Sequence, residues 1–139
     1  MTRTVEEIMT RNPRTVNAGD PVIEAARIMR DDDIGDVIVV DNGDVKGIVT
    51  DRDIVVRDVA EGRDPESTPV REVCTTGVEA LESGATVDDA LRKMREADIR
   101  RLPVVEGGRP VGIVSLGDLA VEREPDSTLA DISAASPDN

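Results

Sequence analysis

Two short phrases of the chain carry residues able to do chemistry. Gly47-Ile-Val-Thr-Asp-Arg-Asp53 and Gly112-Ile-Val-Ser-Leu-Gly-Asp118 each close an apolar run with a hydroxyl, Thr50 or Ser115, and place an aspartate three positions on. That spacing makes the capping box of a helix N-terminus, in which hydroxyl and carboxylate each accept a hydrogen bond from a backbone N–H of the first turn. It also makes a site for a small molecule. A carboxylate accepts two hydrogen bonds from a vicinal diol such as a ribose. The unpaired amides of a helix start favour the phosphate that follows the sugar. An apolar slot between β-branched strands holds a purine and satisfies its edge with main-chain groups. Both readings fit one pattern, because a capped helix end is already preorganised. Hydrolysis with Asp53 and Asp118 as an acid–base pair is a poor third reading. Both are expected to be ionised, and nothing in the sequence marks a metal or a nucleophile beside them.

What the chain lacks narrows the chemistry further. Its 139 residues include no histidine, no phenylalanine, tyrosine or tryptophan, and one cysteine, Cys74. The usual general base and the commonest zinc ligand are therefore missing, and neither an internal disulfide nor a thiolate metal cluster is available. Without aromatic rings there are no stacking platforms for single-stranded nucleic acid. A planar ligand must lie against aliphatic side chains, peptide planes or guanidinium groups. Thirty acidic against seventeen basic residues give a net charge of −13, a field that repels nucleic-acid backbones and anionic lipid. Neither nucleic acid nor a membrane is an expected partner. No apolar run approaches the ~18 residues of a membrane span, and the opening MTRTVEEIMTR lacks the apolar core of a secretion signal. The cytoplasm is the expected location.

The elements that must position the two motifs come from a duplication. Sliding the sequence along itself until Val5 meets Val70 also sets Gly19 on Gly84, Met29 on Met94, Val39-Val40 on Val104-Val105 and Gly47-Ile-Val49 on Gly112-Ile-Val114. Without a gap, 18 of the 50 positions from Val5 to Ile54 are identical to their counterparts, so one unit is written twice. Cys74 takes the place of Met9 and reads as a buried packing residue. Each copy predicts a short helix (Val5–Met9, Val70–Cys74) and then an extended stretch around Thr15-Val16 or Ala80-Leu81. A helix with apolar residues at helical spacing follows: Val22, Ala25, Ala26, Met29 in one copy and Val87, Ala90, Leu91, Met94 in the other. Asp20-Pro21 and the capping box Thr86-Val-Asp-Asp89 mark its start. Two β-branched strands come next, Val37–Val40 with Val45–Val49 and Leu102–Val105 with Val111–Val114, joined by the tight turns Asp41-Asn-Gly-Asp44 and Glu106-Gly-Gly-Arg-Pro110. They are too apolar to face water on either side, which places them in a sheet covered by helices. Each motif then starts a last helix.

A unit of roughly 60 residues is marginal alone, so the two copies are expected to pack as one α/β body: two β-α-β-β-α repeats related by a pseudo-twofold axis. Residues 1–60 form the first repeat, 61–69 a polar linker, 70–123 the second repeat and 124–139 a partly disordered tail in which Leu129–Ile132 is able to dock.

Tandem units in this order, each ending in glycine, an apolar pair, a hydroxyl and an aspartate three further on, resemble the CBS-domain pair, or Bateman module. The second copy carries Ile99-Arg-Arg-Leu-Pro-Val-Val105 before its motif, and the first carries Ile34-Gly-Asp-Val-Ile-Val-Val40. The resemblance covers about Val5–Val121. It implies no enzymatic activity and no required cofactor, but regulatory binding of an adenosine-type ligand (AMP, ADP, ATP or S-adenosylmethionine) in clefts between the repeats. The residues it implies for binding are Thr15, Val16, Ile38, Thr50, Arg52, Asp53, Arg100, Arg101, Pro103, Ser115 and Asp118. Asp53 would take the ribose diol, Thr50 would lie near the phosphates, and Arg100 and Arg101 of the opposite repeat would complete the phosphate site. The second cleft departs from the pattern: Ser115 and Asp118 would face Gly35 and Asp36, whose charge costs ~1 kcal/mol or more beside a phosphate, although Arg52 is placed to compensate. One competent and one weak site are expected. The resemblance further implies a homodimer, with the helices bearing Val22–Met29 and Asp51–Val59 as contact faces. A stand-alone sensor of this kind signals through an effector protein that the sequence does not name. The alternative is an interaction or scaffold dimer whose clefts stay empty.

Overall fold

The computed structural model describes residues 3–77, 79–97 and 99–123. The expected tail at 124–139, with Leu129–Ile132, lies outside them. In chain order the elements are α1 (Val5–Ile8), β1 (Thr10–Arg11), β2 (Thr15–Asn17), α2 (Val22–Asp32), β3 (Asp36–Asp41), β4 (Asp44–Thr50) and α3 (Asp51–Ile54). After α3 come a π-helical turn (Val55–Val59) and a 3-10 turn (Val70–Glu72), then β5 (Thr75–Thr76), β6 (Leu81–Glu82), α4 (Val87–Ala97), β7 (Arg101–Glu106), β8 (Arg109–Ser115) and α5 (Leu116–Arg123). The α/β character expected from the strand and helix periodicities is what forms.

Two four-stranded sheets carry the strands, in the orders β2-β3-β4-β5 and β1-β8-β7-β6. In the first sheet β2 runs parallel to β3, with Thr15 opposite Ile38, and β3 runs antiparallel to β4, with Val37 opposite Val49. The β3–β4 hairpin turns on Asn42 and Gly43, both at positive φ, as a two-residue turn matched to strand twist demands. Gly107 and Gly108 do the same between β7 and β8. Val22, Ala25 and Met29 form the buried row of α2 and close a core with Val16, Val37, Val39 and Val49. Val87, Ala90 and Met94 repeat the arrangement on α4.

The duplicated sequence and the compact units are cut differently. One compact unit takes the described residues up to Pro13 and from Glu79 onward; the other takes those from Arg14 to Gly77. The opening segment of each repeat thus completes the sheet that the other repeat builds: β1 pairs with β8 and β5 with β4, both antiparallel. Equivalent backbone bonds recur in the two copies. Val5 N–H donates to Ala85 O at 2.8 Å and Val87 N–H to Arg3 O at 3.0 Å; Val70 N–H donates to Asp20 O at 2.8 Å and Val22 N–H to Thr68 O at 2.8 Å. The two motif glycines admit these segments. A Cβ on Gly47 would collide with the Thr75 carbonyl, and one on Gly112 with the Met9 side chain.

The start of α2 differs from the expected aspartate cap. Pro21 occupies the cap position with no side-chain bond, and Asp20 Oδ2 instead accepts from Asn17 N–H at 3.0 Å. The orphan amides of Val22 and Ile23 are taken by the carbonyls of Thr68 and Pro65, at 2.8 and 2.9 Å. Carbonyls of the polar connection thus do the capping, which draws Thr68 into a buried position. At α4 the expected box forms: Asp89 N–H donates to Thr86 Oγ1 at 3.1 Å and Thr86 N–H to Asp89 Oδ2 at 3.2 Å.

Candidate functional site

In the Arg14–Gly77 unit, β4 delivers Thr50 to the start of α3. Thr50 Oγ1 accepts from Asp53 N–H at 3.0 Å, and Asp53 Oδ2 accepts from Thr50 N–H at 3.0 Å. The capping reading therefore holds. It uses one oxygen of Asp53; the other, Oδ1, stands 4.0 Å from Arg57 Nη1, and the carboxylate is 13 % exposed. Thr15 opposite Ile38 and Asp36 opposite Thr50 line the same stretch of sheet. By strand alternation Ile38 points away from the face that packs on α2, and it is buried. Val16 belongs to the α2-side core, so only its backbone borders the Thr15–Thr50 face. Arg52 is exposed on α3, its N–H donating to Asp51 Oδ1 at 2.8 Å.

The other unit repeats this geometry. Asp118 N–H donates to Ser115 Oγ at 3.1 Å, and Ser115 N–H to Asp118 Oδ2 at 3.0 Å. Arg101 stands opposite Ser115, and Pro103, buried in β7, stands opposite Ile113. Leu116 N–H donates to Arg100 O at 2.7 Å, just as Asp51 N–H donates to Gly35 O at 3.0 Å in the first unit. Each hydroxyl–carboxylate pair thus has the two residues that precede its own Val-Val strand as neighbours. Arg100 and Arg101 adjoin Ser115 and Asp118 within one unit, while Gly35 and Asp36 adjoin Thr50 and Asp53 within the other.

Two buried groups add to this picture. Cys74 is buried as expected of a packing residue. Burial pushes its thiol pKa up, Asp53 adds to the rise, and Arg57 opposes it. Asp58, which sequence reasoning passed over, is fully buried, and neither carboxylate oxygen has a hydrogen-bond partner among the described residues. Burial raises its pKa, with Arg63 opposing and Asp64 adding. Its counterpart in the second copy of the sequence is Arg123, so the duplication gave no signal of a core position there.

The chain matches the model of the CBS domain twice, over residues 5–59 and 70–123. It belongs to the CBS-domain family. The CBS domain-containing protein YhcV of Bacillus subtilis is 42% identical over 119 residues, spanning 86% of this chain and 84% of YhcV. Hypoxic response protein 1 of Mycobacterium tuberculosis is 33% identical over 118 residues, 84% of this chain and 82% of that protein. The crystal structure of Hypoxic Response Protein I with two coordinated zinc ions matches at a TM-score of 0.79, covering 85% of this chain and 97% of that one. The CBS domain pair of protein MJ0100, solved with 5′-methylthioadenosine and S-adenosyl-L-methionine, matches at a TM-score of 0.79 with 27% identity, covering 91% of this chain and 100% of that one.

Zinc sites are built chiefly from cysteine and histidine, the chain has one cysteine and no histidine, and no three cysteine, aspartate or glutamate side chains converge among the described residues. No helix among them is long and apolar enough to cross a membrane.

Proposed function

We propose that this CBS-domain pair is a regulatory protein that senses an adenosine-type ligand (AMP, ADP, ATP or S-adenosylmethionine) and passes the signal to a partner protein. Asp53 grips the ribose diol, and Thr50 lies by the phosphates or the sulfonium substituent. Thr15, the Val16 backbone and Ile38 border the base. The observation that carries this reading is the twice-written hydroxyl–carboxylate helix start, each standing beside a buried β-branched strand. The ligands of the MJ0100 pair support it, because both are adenosine derivatives with a free vicinal diol. Scanning calorimetry with each ligand tests it. At ~100 times Kd a bound ligand adds about 2.7 kcal/mol of stability, so the melting temperature rises; no rise with any of the four contradicts the reading.

A second reading places the stronger site at Ser115 and Asp118. It is favoured by the one observation that Arg101 stands opposite Ser115 in its own sheet. Asp53→Ala and Asp118→Ala separate the two, since the variant that loses affinity marks the occupied motif.

The protein is read as a homodimer. Val55, Val56 and Val59 are 58%, 46% and 63% exposed and form one helical row with exposed Arg52. Arg52 lies at one end of the row and exposed Glu61 just beyond the other. Antiparallel pairing with a second copy therefore buries the valines and opposes unlike charges, as a self-complementary twofold contact requires.

A further inference from the structure

Arg57 touches two things at once. Its Nη1 donates to Val73 O at 3.1 Å and Cys74 O at 3.2 Å, and it stands 4.0 Å from Asp53 Oδ1, one helical turn earlier. Val73 and Cys74 belong to the exchanged segment, whose strand β5 pairs with Gly47 and Ile48 through two residues only. Val70 and Val73 of that segment are fully buried, so the segment closes the core while resting on few strand bonds. One guanidinium therefore links the carboxylate of the candidate site to the strap that closes the unit.

We propose that Arg57 is a positioning residue that couples occupancy of Asp53 to the hold on the exchanged segment Val70–Thr76, so that a ligand covering Asp53 tightens the segment. This rests on the adenosine-ligand reading above and assigns its means of regulation. The physical cause is screening. Arg57 is half exposed and Asp53 keeps a window to water, so the pair is weak in the free protein. A ligand that closes the window lowers the local dielectric and strengthens the attraction. Asp53 then fixes the guanidinium where it donates to both carbonyls, and charge-assisted bonds are the strong ones. By linkage, a tighter segment binds the ligand better to the same degree. In the second copy of the sequence the position that corresponds to Arg57 holds Glu122.

Cys74 reports on the coupling, because its buried thiol feels both Asp53 and Arg57 and reacts only when the segment opens. The experiment measures the rate at which a disulfide reagent labels Cys74, and amide exchange over residues 70–76, in the full chain with and without S-adenosylmethionine or AMP. Binding of each compound is confirmed separately by titration calorimetry. In the wild type, ligand slows labelling several-fold. Arg57→Gln labels about ten-fold faster without ligand, and ligand no longer changes its rate; Arg57→Lys, which keeps the charge, recovers part of both effects. Equal slowing by ligand in wild type and Arg57→Gln overturns the coupling, as does wild-type labelling of ligand-free Arg57→Gln. An Arg57→Gln chain too unstable to fold leaves Arg57→Lys to decide, and an Arg57→Lys chain that binds ligand without any slowing of Cys74 labelling overturns the proposal. No binding of AMP, ADP, ATP or S-adenosylmethionine overturns the ligand reading and the coupling with it, while faster labelling of ligand-free Arg57→Gln still supports the hold of Arg57 on the segment.

Discussion

Thr50 and Asp53 hold each other through two reciprocal hydrogen bonds of 3.0 Å, Asp53 N–H donating to the Thr50 hydroxyl oxygen and Thr50 N–H to the Asp53 carboxylate. The cap occupies one carboxylate oxygen and orients the other. The pair that stabilises this helix start therefore also fixes the carboxylate oxygen proposed to accept a diol.

Removing the hydroxyl tests the cap. Thr50→Ala is expected to cost about 1 kcal/mol of stability, read as a lower denaturant midpoint. An unchanged midpoint would mean that the box contributes nothing in solution.

Asp58 makes stability depend on pH. Its folded pKa is raised by burial, with Arg63 opposing and Asp64 adding, so the folded state binds its proton more tightly than the unfolded state does. The group costs nothing below its unfolded pKa of about 3.9. The cost grows as pH rises through the folded pKa and is complete above it. Asp58→Asn carries no such charge, so its advantage over the wild type should widen from pH 4 to pH 8 in urea titrations. A difference that stays constant with pH refutes the assignment.

The close approach at Gly47 predicts a local opening. Gly47→Ala sets a Cβ against the Thr75 carbonyl, and overpacking of this kind costs about 1–3 kcal/mol. Amide exchange should accelerate over residues 73–76 before the rest of the unit responds. Gly112→Ala meets the flexible Met9 side chain first and should be tolerated better.

The exposed row on the first repeat's last helix predicts the oligomer. Val59→Glu introduces a charge among Val55 and Val56 and should convert a dimer to a monomer in sedimentation velocity. A wild-type chain that sediments as a monomer at high concentration argues against the proposed contact.

Much of this fold could be read from the residues themselves. Of the apolar row Val22, Ala25, Ala26, Met29, all but the half-buried Ala26 form the buried face of α2; Asn42-Gly43 announced the hairpin, and Thr86 with Asp89 announced the α4 cap, because each is decided by neighbours in sequence. The exchange of opening segments could not be read. Val5 and Val70 are equivalent positions of the two copies, and a repeated unit presents a similar docking surface whichever copy fills it. Strand register within each sheet sets Arg101 opposite Ser115 and Asp36 opposite Thr50. Capping of α2 by Thr68 and Pro65 carbonyls was equally hidden, since a backbone acceptor leaves no residue type behind. Asp58 was hidden too: a charged residue in a helix reads as surface unless its surroundings are known.

The most direct measurement is calorimetric titration of AMP, ATP and S-adenosylmethionine into the wild-type chain and into Asp53→Ala. The account predicts saturable binding of at least one of them to the wild type, weakened by roughly 1.5–3 kcal/mol when the carboxylate that takes the diol is removed. Binding of equal strength to Asp53→Ala, or no binding of any of the three to the wild type, would contradict it.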